Sequence, residues 1–550
     1  MRSLRYKQWL VLAALAFTVG WFALLAKRPL YEPDEGRYAE IPREMLHGGD
    51  WVIPHLNGLA YIEKPPLQYW ISALALRFFG ENEAAARLCT GLAGYVAFAL
   101  VFFMAYRLWG FRAGVKAALL TAASSLFFLL GHQLTLDMTL TCCLLGALAC
   151  FMEAQLRRAQ ARASGAWMIG CWAAIALAVL TKGLIGLLIP GVTLLLYALW
   201  QRDLGILKAL RWSWGLPVFG AIAVPWFFLA ARANADFLRF FFIREHFQRF
   251  LTPIEHRTEP WWYFAPILIL GTLPWVAQAV RALATGWRAT APPGEFDARR
   301  LLWIWSVFVL VFFSCSDAKL IPYILPALPT LALVCAHPRA GDGQLELWVD
   351  AAASLAAAVA ILAYAGGALG PRSGLSLALT LAPVLVWTSS GLMCAVAACM
   401  ALLARNLPRA AGAALCVGWI WTTGTILIGA DRAASFYSAK NIAALLRLQP
   451  GTAPPDSLLP VYCVQSYEQS LPFYLARTVV LVDYRDELDF GLRADPARGI
   501  ASLEQFAALW RSLDGGYAVM PLATQARLTV LGVPMREIGR FADRAVVSRR

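Results

Sequence analysis

The residues best equipped for chemistry lie between Tyr31 and Trp70, where the chain reads YEPDEGRYAEIPREMLHGGDWVIPHLNGLAYIEKPPLQYW. An acidic pair, Asp34 and Glu35, follows Pro33, and a glutamate–lysine pair, Glu63 and Lys64, precedes two prolines. Carboxylates can orient an acceptor, stabilise developing positive charge or move a proton. A lysine fixed at a membrane interface suits an anionic lipid headgroup. Simpler accounts stand beside these: Asp34 and Glu35 also suit the opening of a helix. Glu63 and Lys64 also suit a surface ion pair ahead of a proline-started helix. Because charge is costly at the edge of hydrocarbon, a dense polar stretch directly after an apolar span weighs toward chemistry.

A second acid, Asp137, opens an apolar run after the short polar turn His132–Gln133. Alone it could cap its helix, but two acids on one membrane face beside a long polar loop favour a functional role. The segment 233–260 mixes Arg244, His246 and Arg249 with phenylalanines, a composition for aromatic burial in acyl chains and guanidinium contact with phosphate. Lys319 and Tyr323 share a helix face if a helix starts at Lys319, although snorkelling explains a lysine at a span's end. For Lys182, snorkelling is the preferred account. The six histidines show no metal-ligand spacing. Neither a Gly-rich phosphate loop nor a Gly-x-Ser-x-Gly nucleophile is present, which argues against a nucleotide-driven pump.

The positioning elements are membrane helices. Of the 550 residues, 59% are hydrophobic and 15% charged, too apolar for an ordinary soluble domain. Apolar runs long enough to cross about 30 Å of hydrocarbon are expected near 8–26, 86–107, 113–131, 138–155, 166–181, 183–200, 213–231, 261–281, 301–315, 319–336, 347–368, 378–404 and 408–430. The first is read as a retained helix rather than a cleaved signal.

Arginine and lysine gather in loops on one side, which the positive-inside rule assigns to the cytoplasm. The net charge of +14 is explained by those loops and by contact with anionic lipid, so no nucleic-acid partner is expected. Loops 31–87 and 233–260 then fall on the outer face, with a short amphipathic helix expected over Glu35–Leu46 and another over Pro66–Phe79 that is apolar enough for the interface. The cysteines lie mostly inside spans, and no disulfide framework is expected. After about 433 hydropathy drops. Helical patterns at Ser438–Leu448, Tyr467–Leu475 and Ser502–Leu513 alternate with β-rich runs at Leu459–Val464, Thr478–Val482 and Tyr517–Met520. The expected architecture is an all-α polytopic bundle of thirteen transmembrane helices over 1–432, followed by a small outer α/β domain over 433–550.

Taken together, Tyr31-Glu32-Pro33-Asp34-Glu35-Gly36-Arg37-Tyr38, Leu56-Asn57-Gly58, Tyr61, Glu63-Lys64-Pro65-Pro66 and Tyr69-Trp70 resemble the bacterial aminoarabinose transferases. These belong to the GT-C-type membrane glycosyltransferases that use polyprenyl-phosphate sugars and include the protein O-mannosyltransferases. The resemblance covers essentially the whole chain, with Asp137, Lys182-Gly183 and Lys319–Tyr323 also fitting. It implies transfer of 4-amino-4-deoxy-L-arabinose from undecaprenyl phosphate to a lipid A phosphate, on the periplasmic face of the bacterial inner membrane.

The same resemblance makes Asp34 the principal catalytic carboxylate and Asp137 a second acid of the site. Lys64 and Arg249 look like ligands of the carrier phosphate, with Tyr61 and Tyr323 lining the cavity. Glu63 would hold Lys64 or the amino-sugar, and Glu35 joins the substrate-binding set. No cofactor is required, although the acids could hold a divalent metal. A monomer among membrane lipids is expected. Two alternatives remain: a related enzyme that glycosylates proteins, and a flippase for lipid-linked sugars. A flippase would place ionisable groups along mid-span paths, whereas here they gather at the outer boundary.

Overall fold

A computed structural model describes residues 2–248, 259–288, 291, 295–338, 343–368, 375–451 and 459–549. Each expected span is helical over all or part of its length. Among the described residues, seven helices are long and apolar enough to cross a membrane: Glu83–Trp109, Leu136–Ala159, Gly165–Lys182, Trp212–Ala233, Gln344–Ala365, Leu377–Ala404 and Pro408–Tyr437. The protein is a multi-pass membrane protein.

Three expected spans are interrupted. The run 113–131 divides into Phe111–Ala123 and Ser125–Leu130 at Ser124, whose hydroxyl donates to the Gly271 carbonyl at 2.6 Å. The run 261–281 divides into Phe264–Thr272 and Val276–Thr285 around Pro274, since a proline lacks the helical donor and drives the residue before it out of the helical region. Lys319 does not start a helix. A short 3₁₀ turn spans Ile321–Ile324 and the α-helix begins only at Ala327.

By contacts the chain forms two compact units, cut differently from the expected boundary at 432/433. One comprises Met1–Ile62, Tyr69–Leu88 and Ile428–Arg550; the other comprises Glu63–Gln68 and Cys89–Leu427. The first unit holds a six-stranded sheet. Its strands follow a small hairpin, β1 (His55–Leu56) and β2 (Leu59–Ala60), in the same unit. The sheet strands are β3 (Val461–Val464), β4 (Val480–Val482), β5 (Gly499–Ile500), β6 (Tyr517–Pro521), β7 (Arg536–Phe541) and β8 (Arg544–Ser548). Their order is β5-β4-β3-β6-β8-β7, with the first four parallel and β8 and β7 antiparallel. Tyr462, Val464, Phe506, Trp510, Met520 and Val547 close its core. Each large apolar side chain sealed there contributes about 1.5–3 kcal/mol.

In the same unit Asn57 and Gly58 turn the β1–β2 hairpin, both with positive φ (55° and 72°), the conformation that a two-residue Asn-Gly turn supplies. The Asn57 amide also exchanges two 2.8 Å hydrogen bonds with the backbone of Val479 beside β4. That double latch explains the Leu56-Asn57-Gly58 motif as a fastening to the C-terminal sheet.

Candidate functional site

The first unit places Asp34 at the first turn of a helix over Asp34–Gly48, which ends in a left-handed Gly49. The helix was expected to be amphipathic, but residues 35–43 are all buried. Burying so many charges requires internal partners, and they are present. Glu35 is 0% exposed. It receives a bidentate ion pair from Arg87 (2.8 and 2.9 Å), a second from Arg28, and the Tyr31 amide at 2.9 Å. Arg87 also donates to the carbonyls of Leu25, Arg28 and Pro29. Burial alone would raise the Glu35 carboxyl, but the two guanidinium groups outweigh it and hold it well below the usual carboxylate range.

Glu35, expected to touch substrate, is therefore a saturated structural anchor. Tyr61, expected to line a substrate cavity, is 1% exposed and accepts from Arg37 at 3.3 Å. Asp34 behaves differently: it is half-buried, and among the described residues its carboxylate makes no hydrogen bond or ion pair. The acidic pair thus divides into one carboxylate that holds the loop and one that makes no hydrogen bond or ion pair among the described residues.

Two other acids of this region titrate unusually. Burial, with Glu468 nearby, raises Glu32 to about 8. Burial raises Glu40 to about 8 in spite of Arg43, with Glu44 adding to the rise. Both bind their proton more tightly in the folded chain than at the ordinary value of 4.5. Their contribution to stability is complete below that value and is lost as pH rises through about 8. The thermal midpoint in detergent should fall from pH about 5 to about 9, and Glu32→Gln with Glu40→Gln should flatten the decline. A midpoint that rises over that range would contradict the assignment.

In the second unit, Lys64 lies between carboxylates. Its ammonium is 2.9 Å from Glu245 and 3.8 Å from Glu63. Glu245 belongs to a π-helical segment, Arg239–Gln248, so the aromatic–basic stretch delivers an acid to the lysine of the first loop. Arg249 lies outside the described residues.

Asp137, at the first turn of Leu136–Ala159, pairs with Lys182 at 2.5 Å. The same ammonium sits 4.7 Å from the centroid of the Tyr323 ring, in range for a cation–π contact. Snorkelling therefore does not account for Lys182: it orients Asp137 and packs on Tyr323. The signal was present in the sequence, because an acid opening one span and a lysine closing the next share a membrane face. Lys319 is consumed structurally, donating to the carbonyls of Ser316 (2.5 Å) and Glu259 (2.8 Å). Among the described residues no three His, Cys, Asp or Glu side chains gather as a metal-binding group.

The second unit thus offers a lysine held by two carboxylates and a carboxylate held by a lysine. The first offers a carboxylate without a hydrogen bond or ion pair among the described residues, on a fastened backbone. Such groups can grip a phosphate and stabilise charge on a reacting sugar.

Comparison with known proteins adds to this geometry. Residues 450–549 match a family model described as the aminoarabinose transferase C-terminal domain, and residues 63–228 match one described as dolichyl-phosphate-mannose-protein mannosyltransferase. An undecaprenyl phosphate-α-4-amino-4-deoxy-L-arabinose arabinosyl transferase of Erwinia tasmaniensis is 35% identical over 415 residues, covering 72% of this chain and 73% of that protein. One from Pectobacterium carotovorum is 31% identical over 502 residues, with 86% of each chain covered. The crystal structure of ArnT from Cupriavidus metallidurans bound to undecaprenyl phosphate superposes with a TM-score of 0.89 at 32% identity, covering 99% of this chain and 98% of that one.

Proposed function

The chain belongs to the family of undecaprenyl phosphate–aminoarabinose arabinosyltransferases, and on that premise we propose that it transfers 4-amino-4-deoxy-L-arabinose from undecaprenyl phosphate to a lipid A phosphate. The observation that carries this reading is the likeness over nearly the whole chain to a protein crystallised with undecaprenyl phosphate. The proposed setting is the bacterial inner membrane, with the reacting groups and the α/β domain on the periplasmic face.

In the proposed reaction an oxygen of the acceptor phosphate attacks the anomeric carbon. The bond from that carbon to the carrier phosphate breaks, and undecaprenyl phosphate departs with the electron pair. Inversion at the anomeric carbon follows from a single displacement. Lys64, with Arg249, neutralises the charge developing on the departing phosphate. Asp34 orients the acceptor or stabilises positive charge on the sugar. A phosphate acceptor is already anionic at neutral pH, so a strong base is not demanded. Asp137, set by Lys182, is the second acid.

The Lys64–Glu245 pair gives a test at the donor site. Carrier phosphate must compete with Glu245 for the ammonium, so Lys64→Ala should raise the donor KM roughly a hundredfold. Glu245→Gln should lower it several-fold. Donor titrations with a synthetic prenyl-phosphate sugar would check both, and a raised KM in Glu245→Gln would show that the carboxylate helps the donor instead. The reading as a whole is tested by mass spectrometry of lipid A from cells with and without the protein, with polymyxin sensitivity as a second readout. Lipid A that never carries aminopentose in expressing cells would reject it.

A further inference from the structure

The half-buried Asp34 side chain makes no hydrogen bond or ion pair among the described residues, so its position is dictated chiefly by the backbone on either side. That backbone is fastened, within one compact unit, to the C-terminal domain. Two residues before Asp34, the Glu32 carboxylate accepts from the Ser470 amide at 2.8 Å and from the Ser470 hydroxyl. The Glu32 amide donates to the Tyr437 carbonyl at 2.7 Å. Two residues after it, Gly36 lies so close to the domain that an added Cβ would stand 2.3 Å from the Ser470 nitrogen and 2.6 Å from the Gln469 carbonyl carbon. One residue further, Arg37 donates to Gln469 at 2.7 Å. Ser470 is itself fixed, 0% exposed, its hydroxyl accepting from the Ala439 amide at 3.1 Å.

We propose that the C-terminal domain is part of the catalytic apparatus, with Glu32 and Ser470 acting as positioning residues that set the place of Asp34. This rests on the reading of Asp34 as the reacting carboxylate. Bonds within three residues on both sides of an otherwise unheld side chain are what a preorganised group requires, because supporting contacts must hold it within about 0.5 Å. The second Glu32 oxygen is buried without a hydrogen-bond partner. A neutral carboxyl tolerates that position better than an anion, in keeping with the raised titration of Glu32 facing Glu468, Arg544 and Cys463. Glutamine at this position would keep the accepting oxygen, while alanine would remove it.

The test compares Ser470→Ala, Glu32→Ala, Glu32→Gln and Asp34→Asn in the full-length protein, using synthetic carrier-linked sugar and lipid A. Ser470→Ala and Glu32→Ala should lower kcat roughly tenfold to a hundredfold, with the donor KM changed by no more than about twofold. Glu32→Gln should restore most of the activity. If Glu32→Ala does not fold, Ser470→Ala, which leaves the Glu32 side chain in place, carries the comparison. The proposal is overturned if both alanine variants keep kcat within about twofold of the parent while Asp34→Asn is inactive; the assignment of Asp34 would survive that result. It is also overturned if KM rises in step with the fall in kcat, the signature of general loosening. Full activity in Asp34→Asn would instead remove the premise.

Discussion

Asp34→Asn should lower kcat by about 10²–10⁴-fold, the range expected when a positioned ionisable group is lost, with folding and carrier-lipid affinity unchanged. The side chain is half-buried and no described residue bonds to it, so an amide of the same shape disturbs neither the helix Asp34–Gly48 nor its fastenings. What disappears is the negative charge. If that charge stabilises the sugar as the carrier phosphate departs, its loss raises the barrier without altering the bound ground state, and kcat and kcat/KM fall together. Single-turnover rates on protein shown to be monodisperse would measure this. A covalent glycosyl–enzyme trapped on Asp34 would refute direct displacement while keeping the residue catalytic. Near-parental rates would end its assignment.

The neighbouring residue should give the opposite result. Glu35→Ala should destabilise the protein by about 3–5 kcal/mol, the usual consequence of stripping one partner from a buried ion pair. Here two guanidinium groups, Arg28 and Arg87, lose their shared carboxylate at once. Total stability is typically about 5–15 kcal/mol, so most of the folded protein is at risk. Arg87→Ala should act similarly, because it also frees the carbonyls of Leu25, Arg28 and Pro29. The thermal midpoint and the yield of monodisperse protein are the readouts. A Glu35→Ala protein with parental stability and selectively lost donor binding would return Glu35 to the substrate site.

These opposite outcomes for adjacent acids mark what the sequence could and could not reveal. Apolar runs give span positions directly, because hydrocarbon demands internally bonded helices. The break at Pro274 is local, but the one at Ser124 involves a tertiary bond to Gly271, which no hydropathy window contains. The acidic pair was visible, but its partition was not: Arg28 and Arg87 lie 7 and 52 residues from Glu35, and nothing local selects them. The strands β3, β4 and β6 announce themselves as apolar runs. By contrast β7 (Arg536–Phe541) is largely polar and exposed, and it went unread. Lys182 was underread because a lysine at a span's end has an ordinary explanation, until its distance to Asp137 removes it.

The most direct measurement is transfer by the purified protein in lipid vesicles supplied only with undecaprenyl-phosphate-linked aminoarabinose and lipid A. The account predicts lipid A carrying an added aminopentose on phosphate, with one undecaprenyl phosphate released for each sugar moved. Released sugar with unmodified lipid A, or transfer to a peptide hydroxyl in its place, would contradict it.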